Sequence, residues 1–112
     1  MCFPRTHRLV SQSEYKLLFN KSRKLNDRFL TILYRKNNNL YGRLGLIVAK
    51  RVAKHAVTRN RIKRVIRESF RFQHAKLSGI DIIVIARQQC DKLSKQKLRE
   101  GIDQLWERLL TS

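Results

Sequence analysis

Between Thr58 and Arg71 the chain reads Thr-Arg-Asn-Arg-Ile-Lys-Arg-Val-Ile-Arg-Glu-Ser-Phe-Arg, with six cations and a single acid, Glu68. Thr58 is read as the N-cap of a helix running to about Gln73. At ~100° per residue, Ile62, Val65, Ile66 and Ser69 share one side, with Phe70 at its edge. Opposite them fall Asn60, Arg64, Arg67 and Arg71, flanked by Arg61 and Lys63, while Arg59 sits nearer the buried edge. An ordinary solvated helix face mixes charge signs to gain pairs three or four residues apart. This one stacks like charges that repel, a cost that phosphates would remove. Guanidinium groups bind phosphate oxygens through two parallel hydrogen bonds, and the free N–H groups of the helix start add to anion binding.

Other chemistry finds no foothold. Two-metal hydrolysis needs clustered acids, and general acid–base work needs a positioned histidine or carboxylate. The eight acids are scattered; Asp81 and Asp91 flank an apolar run without a partner at motif spacing. His7, His55 and His74 share no spacing. Cys2 and Cys90 lie far apart, without metal-ligand spacing or the pattern of a disulfide framework, so reduced thiols are expected. No catalytic or metal-binding residue is assigned to this chain.

The whole composition agrees with an anionic partner. Lys and Arg number 26 against 8 acids, a formal charge of +18 and a pI near 11.2. Residues 1–42 carry nine basic and two acidic side chains, residues 43–76 eleven and one, and residues 77–112 six and five. A uniformly solubilising surface predicts no such gradient. The middle third is therefore the expected binding face, the first third its helper and the last third scaffold. Each neutralised phosphate releases condensed counterion, which makes nucleic acid the natural partner. No segment approaches the roughly 20 apolar residues of a membrane span, and Met1–Val10 lacks the apolar run of a signal peptide.

At 112 residues, 42% of them apolar, the chain is one domain's length (1–112). Phe3-Pro4-Arg5 reads as an extended lead-in. Ser11-Gln12-Ser13-Glu14 has capping-box spacing and opens a short helix in which Tyr15, Leu18 and Phe19 share a face. Phe29–Tyr34 is β-branched and aromatic, hence a strand. Asn37-Asn38-Asn39 follows as a turn, and Arg43–Lys50 forms a second strand, expected to pair antiparallel with the first. Ser78-Gly79 breaks the chain before a buried strand, Ile80–Ala86. Ser94 caps a last helix whose Leu98, Ile102, Leu105 and Leu109 form one stripe bordered by Trp106. The order α-β-β-α-β-α predicts an α+β sandwich with helices over one face of a small sheet. Tyr15, Phe19 and Tyr34 suit stacking on single-stranded bases and equally suit the core.

Arg59-Asn60-Arg61-Ile62-Lys63-Arg64 resembles the RNR signature of the protein component of bacterial ribonuclease P. The resemblance extends over Arg43–Arg51 and Arg67–Arg71, and takes in Phe3-Pro4-Arg5, Tyr15, Phe19 and Ile80–Arg87, which is essentially the whole chain. It implies a cytoplasmic ribonucleoprotein in which a catalytic RNA, using magnesium ions held mainly by RNA and substrate, removes the 5′ leader of precursor tRNA. It further implies a two-layer α-β sandwich shared with a ribosomal-protein domain. That fold has a small, mostly antiparallel sheet, about three helices and a left-handed βαβ crossover. Carried over by position, Arg59, Asn60, Arg61, Lys63, Arg64, Arg67 and Arg71 contact the catalytic RNA. Tyr15, Phe19, Tyr34, Lys50 and Arg51 line a leader-binding cleft between the first helix and the sheet. The chain departs from a common form of the family at Ala53, where glycine often follows the basic pair. Neither a membrane nor an obligate protein partner is implied. The competing readings are a ribosomal-type structural RNA-binding protein, an autonomous nuclease and a DNA-binding module.

Overall fold

A computed structural model describes residues 12–37 and 41–111. The Phe3–Arg5 lead-in, Ser11, His7, Cys2 and the Asn38-Asn39 portion of the expected turn lie outside them. The elements in chain order are α1 (Gln12–Asn20), β1 (Arg23–Asn26), β2 (Leu30–Lys36), β3 (Arg43–Ile47), α2 (Ala56–Phe72), β4 (Ile80–Ala86) and α3 (Lys95–Thr111). A 3₁₀ turn, Cys90–Lys92, precedes α3. β1 was not foreseen: four residues, three of them exposed, give no apolar alternation to read.

The strands form one sheet in the order β1-β2-β4-β3. β1 and β2 are antiparallel, as are β2 and β4, whereas β3 runs parallel to β4. The expected pairing of the second and third strands is thus corrected: β4 lies between them. Its sequence, Ile-Asp-Ile-Ile-Val-Ile-Ala, is apolar on both sides of the pleat, and such a strand needs neighbours on both edges and cover on both faces. β3 therefore reaches β4 through the α2 crossover, the ordinary way to join parallel neighbours.

Helices cover both faces of the sheet, not one. Strand side chains alternate, so Leu30, Ile32, Leu44, Ile82, Val84 and Ala86 pack against α2 and α3 in the main core. Leu33 and Ile83 point the other way and meet Leu18 of α1 in a second cluster, with Tyr15, Ile47 and Ile85 at its margin. The six apolar residues of α1 and its sheet partners are enough to hold a nine-residue helix, but not to bury it fully: Leu17 and Phe19 remain 44% and 53% exposed.

α2 and α3 are joined through Phe70 and Trp106, both nearly inaccessible, their rings edge-to-face with centroids 6.1 Å apart. Trp106 donates Nε1–H to Oγ of Ser69 at 2.8 Å, and that hydroxyl in turn donates to Oδ1 of Asp103. Ser69, foreseen as part of an apolar stripe, is thus the polar pin of the joint. Ser94 caps α3 as expected, accepting from the N–H of Lys97 at 3.1 Å. Thr58 does not cap α2; the helix starts two residues earlier, with His55 at the N-cap. Arg59 ties this start to the preceding loop, its Nη1 donating to the carbonyls of Ala53 and Lys54, both at 2.9 Å.

Candidate nucleic-acid interface

The buried side of α2 is Ile62, Val65, Ile66, Ser69 and Phe70, as its periodicity predicts. Seating that side on the sheet and α3 aims the opposite side outward. Asn60, Arg61, Arg64 and Arg67 are exposed, and Lys63 and Arg71 are half-buried. The seven residues assigned to this surface do not behave alike. Arg59 is spent on the loop carbonyls just described. Arg61 donates Nη2 to the carbonyl oxygen of Asp91 at 3.1 Å, tying α2 to the 3₁₀ turn. Arg71 is likewise engaged within the fold. Asn60, Lys63, Arg64 and Arg67 have no ion pair or side-chain hydrogen bond among the described residues. Guanidinium groups left in this state, on a helix with no acid in its first turn and no side-chain cap at its start, make a continuous anion-seeking surface.

The second predicted surface lies on the other face of the sheet. Tyr15 of α1 lies across β3: a Cβ added at Gly45 would stand 2.6 Å from the Tyr15 hydroxyl and 2.8 Å from Cζ. Glycine there is what lets the ring approach the strand. Phe19, one turn further along α1, keeps half its surface in solvent. β3 then leads, three residues past its end, into Lys50 and Arg51, both exposed on a turn closed by the bonds of Val52 and Ala53 N–H to the Ala49 carbonyl. Ala53 is 1% exposed, and the one non-glycine residue with positive φ among those described is Gln89. Alanine in place of the family's common glycine therefore asks nothing unusual of the backbone.

Tyr34 does not belong with this group. It pairs across the sheet with Ile82 and Arg23 and packs on the main core, on the face opposite α1. Period-two alternation puts Leu33 toward α1 and Tyr34 away from it. Sequence reading also passed over the cations around Tyr34, namely Lys21, Arg23, Arg35 and Lys36. Their signal was two short basic runs, Lys21-Ser22-Arg23-Lys24 and Arg35-Lys36, brought together only by the β1–β2 hairpin.

The candidate acids are accounted for. Asp81 is 8% exposed and accepts from Nε of Arg43 at 2.9 Å, from Nη2 at 2.8 Å and from Nδ2 of Asn37 at 2.6 Å. Both its oxygens are committed to holding β3 against β4. Asp103 takes the Ser69 hydroxyl and Nε of Arg99. No group of three or more His, Cys, Asp or Glu able to hold a metal ion occurs among the described residues. Cys90 is fully buried; desolvation, with Asp91 adding and Arg61 opposing, pushes its thiol up to about 11. It is a neutral packing group rather than a nucleophile.

Residues 3–110 match the family profile described as Ribonuclease P. Among curated relatives, a "Ribonuclease P protein component" of Thioalkalivibrio sulfidiphilus is 38% identical over 109 residues, covering 97% of this chain and 91% of that protein. One from Histophilus somni is 42% identical over 106 residues, covering 95% and 89%. The solved RNase P protein of Staphylococcus aureus superposes with a TM-score of 0.87 at 27% identity, covering 92% of this chain and 94% of that one. That of Thermotoga maritima gives 0.80 at 31% identity, covering 90% and 96%.

Proposed function

The chain belongs to the ribonuclease P protein family, and from that premise we propose that the outer face of α2 is the surface it lays along the phosphates of the catalytic RNA. It is the protein subunit of ribonuclease P, an endoribonuclease holoenzyme whose catalytic RNA is not in this chain. The comparisons favour this role over the ribosomal-type alternative. One observation carries the assignment to α2: Arg64 and Arg67 stand exposed on consecutive turns without an internal partner, on a helix with six cations and one acid. Lys63 and Asn60 extend the row. Arg59 and Arg61, although in the same motif, act by tying the start of the helix to the preceding loop and to the 3₁₀ turn.

The face between α1 and the sheet is proposed as the seat of the precursor tRNA leader. Supporting this are the exposed Phe19, the Tyr15 ring laid on Gly45 and the exposed pair Lys50 and Arg51. This combines ring faces with cations, the requirement of single-strand binding. The described side chains offer no cluster fit to hold magnesium, and in this reading the ion belongs to the RNA and the substrate. There it supplies charge neutralisation and an activated water. The protein's own contribution is then affinity and position, not bond cleavage. No helix among the described residues is long and apolar enough to cross a membrane; a cytoplasmic protein without an obligate protein partner is the accompanying proposal.

Cleavage of precursor tRNA at low magnesium tests the reading, with protein alone, catalytic RNA alone and both together. Product ending at the mature 5′ terminus only with both supports it. Cleavage by the protein alone would reveal an active site in this chain, and no stimulation by a compatible RNA would return the ribosomal-type reading.

A further inference from the structure

Beyond these two surfaces, we infer that the groove beneath the β1 edge of the sheet is a third nucleic-acid seat, one that takes a short stretch of single-stranded RNA. The groove has a volume of about 810 Å³, within the usual range for a site that encloses a small ligand and large enough for a nucleotide or two. Lys21, Arg23 and Lys36 surround the Tyr34 ring, and Arg35, which alternates with Tyr34 along β2 and so points to the other face of the sheet, adds its charge at the rim. All four are exposed, no acid among the described residues lines the groove, and none of the four pairs with an acid among them. Between the cations the half-buried ring of Tyr34 and the apolar side chains of Ile80 and Leu109 form the floor. Cations at the rim with a ring and aliphatic surface beneath them fit a strand whose phosphates lie outside and whose bases turn in. A duplex keeps its bases stacked and has no use for the floor.

The fold separates this groove from both surfaces already described. Tyr34 is on the sheet face opposite α1, so the groove is not an extension of the α1 face. α2 packs on β3 and α3, at the far edge of the sheet. The last turns of α3 stand between the two: Leu109 and Leu110 wall the groove, while Arg108 donates Nη1 to the Asn26 carbonyl of β1 at 3.2 Å. The inference therefore stands or falls independently of the role given to α2.

The test is a titration of the isotopically labelled full chain with a six-residue oligouridylate, followed by amide NMR, in the wild type and in an Arg64→Glu/Arg67→Glu background. Saturable shifts are expected at Ser22–Arg23 and Tyr34–Lys36 in both. Lys21→Glu/Arg23→Glu/Lys36→Glu should abolish those shifts and weaken oligonucleotide binding by roughly tenfold at low salt. The same three-charge reversal at Lys92, Lys95 and Lys97, at the other end of α3, should leave the groove shifts in place. Tyr34→Leu should cost at least about 5-fold, the low end for loss of one stacked base, whereas Tyr34→Phe retains the ring and should bind as wild type. Equal losses in the control triple would reduce the effect to net charge and overturn the inference. So would groove shifts produced as fully by inorganic pyrophosphate, by a short RNA duplex or by an acidic peptide.

Discussion

α2 and α3 are the same length, 17 residues, pack on the same face of the sheet and bury five side chains each. Their outer faces are built in opposite ways. α3 carries four cations and three acids. Two of the acids are satisfied locally: Arg99 pairs with Asp103 at 3.3 Å and Gln96 bonds Glu100 at 3.2 Å, each one turn apart. Arg99 also lies over the Phe72 ring at 5.0 Å. α2 carries six cations and one acid and leaves Arg64 and Arg67 with nothing to hold. Burial cannot explain the contrast, because the buried sides match. What differs is the supply of counter-charge: α3 carries three acids for four cations and α2 one for six, and the role proposed for α2 is to find the remainder on RNA.

The comparison breaks most completely where the two helices meet. Trp106→Ala removes a fully buried indole and the donor to Ser69, and should destabilise the protein by about 3–5 kcal/mol, read by chemical denaturation. Both faces should fail together; retained RNA affinity at full occupancy would mean α2 needs no support from α3. The next effect comes from Cys90, at the turn that Arg61 ties to α2. Its folded pKa is raised from 9.0 to about 11, so the neutral thiol is the form that folding favours. Its contribution is fully present below pH 9 and is lost as pH rises from 9 through about 11. In a Cys2→Ser background, stability should therefore fall over that interval. Cys90→Ala should flatten the fall, and an unchanged slope would show that another group titrates there.

A sharper contrast should come from the outer faces themselves. Arg64→Glu/Arg67→Glu should weaken catalytic-RNA binding by about tenfold or more and lower the slope of log K against log salt by ~1 per cation removed. Thermal stability should hold or rise slightly, since like-charge repulsion along the helix is relieved. Unchanged RNA affinity would sink the phosphate assignment. The matching change on α3, Arg99→Ala, is expected to be the smallest: below about 1 kcal/mol in stability for a surface pair, with RNA binding unaffected. A loss of RNA affinity there would mean that the two outer faces act as one.

Local patterns were legible in the chain where a residue's environment depends on its near neighbours. The α2 and α3 stripes, the Ser94 cap and the two long strands all follow from periods of 3.6 and 2 and from short-range capping. β1 and the strand order were not, since a four-residue polar strand has no pattern of its own and strand neighbours are decided by distant residues. The apolar run Ile82–Ala86 of β4 did hold the clue that it must be central. For the interface, the outward row was legible, but its division of labour was not. Nothing in Arg59-Asn60-Arg61 says that both arginines bind backbone carbonyls, because Ala53, Lys54 and Asp91 reach them only after the chain has folded. Tyr34 shows the same limit, one step of register deciding which face receives it.

The central place of β4 has a consequence for how the chain comes off the ribosome. β2 and β3 each pair with β4 and not with each other, so until residue 86 has emerged β2 has only β1 beside it and β3 has no partner strand. α2, synthesised earlier, has no completed sheet to lie on. The cationic helix thus enters the cell's RNA-rich interior before its apolar side can be buried, and contacts this distant in sequence form late. Folding is held to a single closing event, in which the arrival of one strand turns a loose polycation into a shaped one.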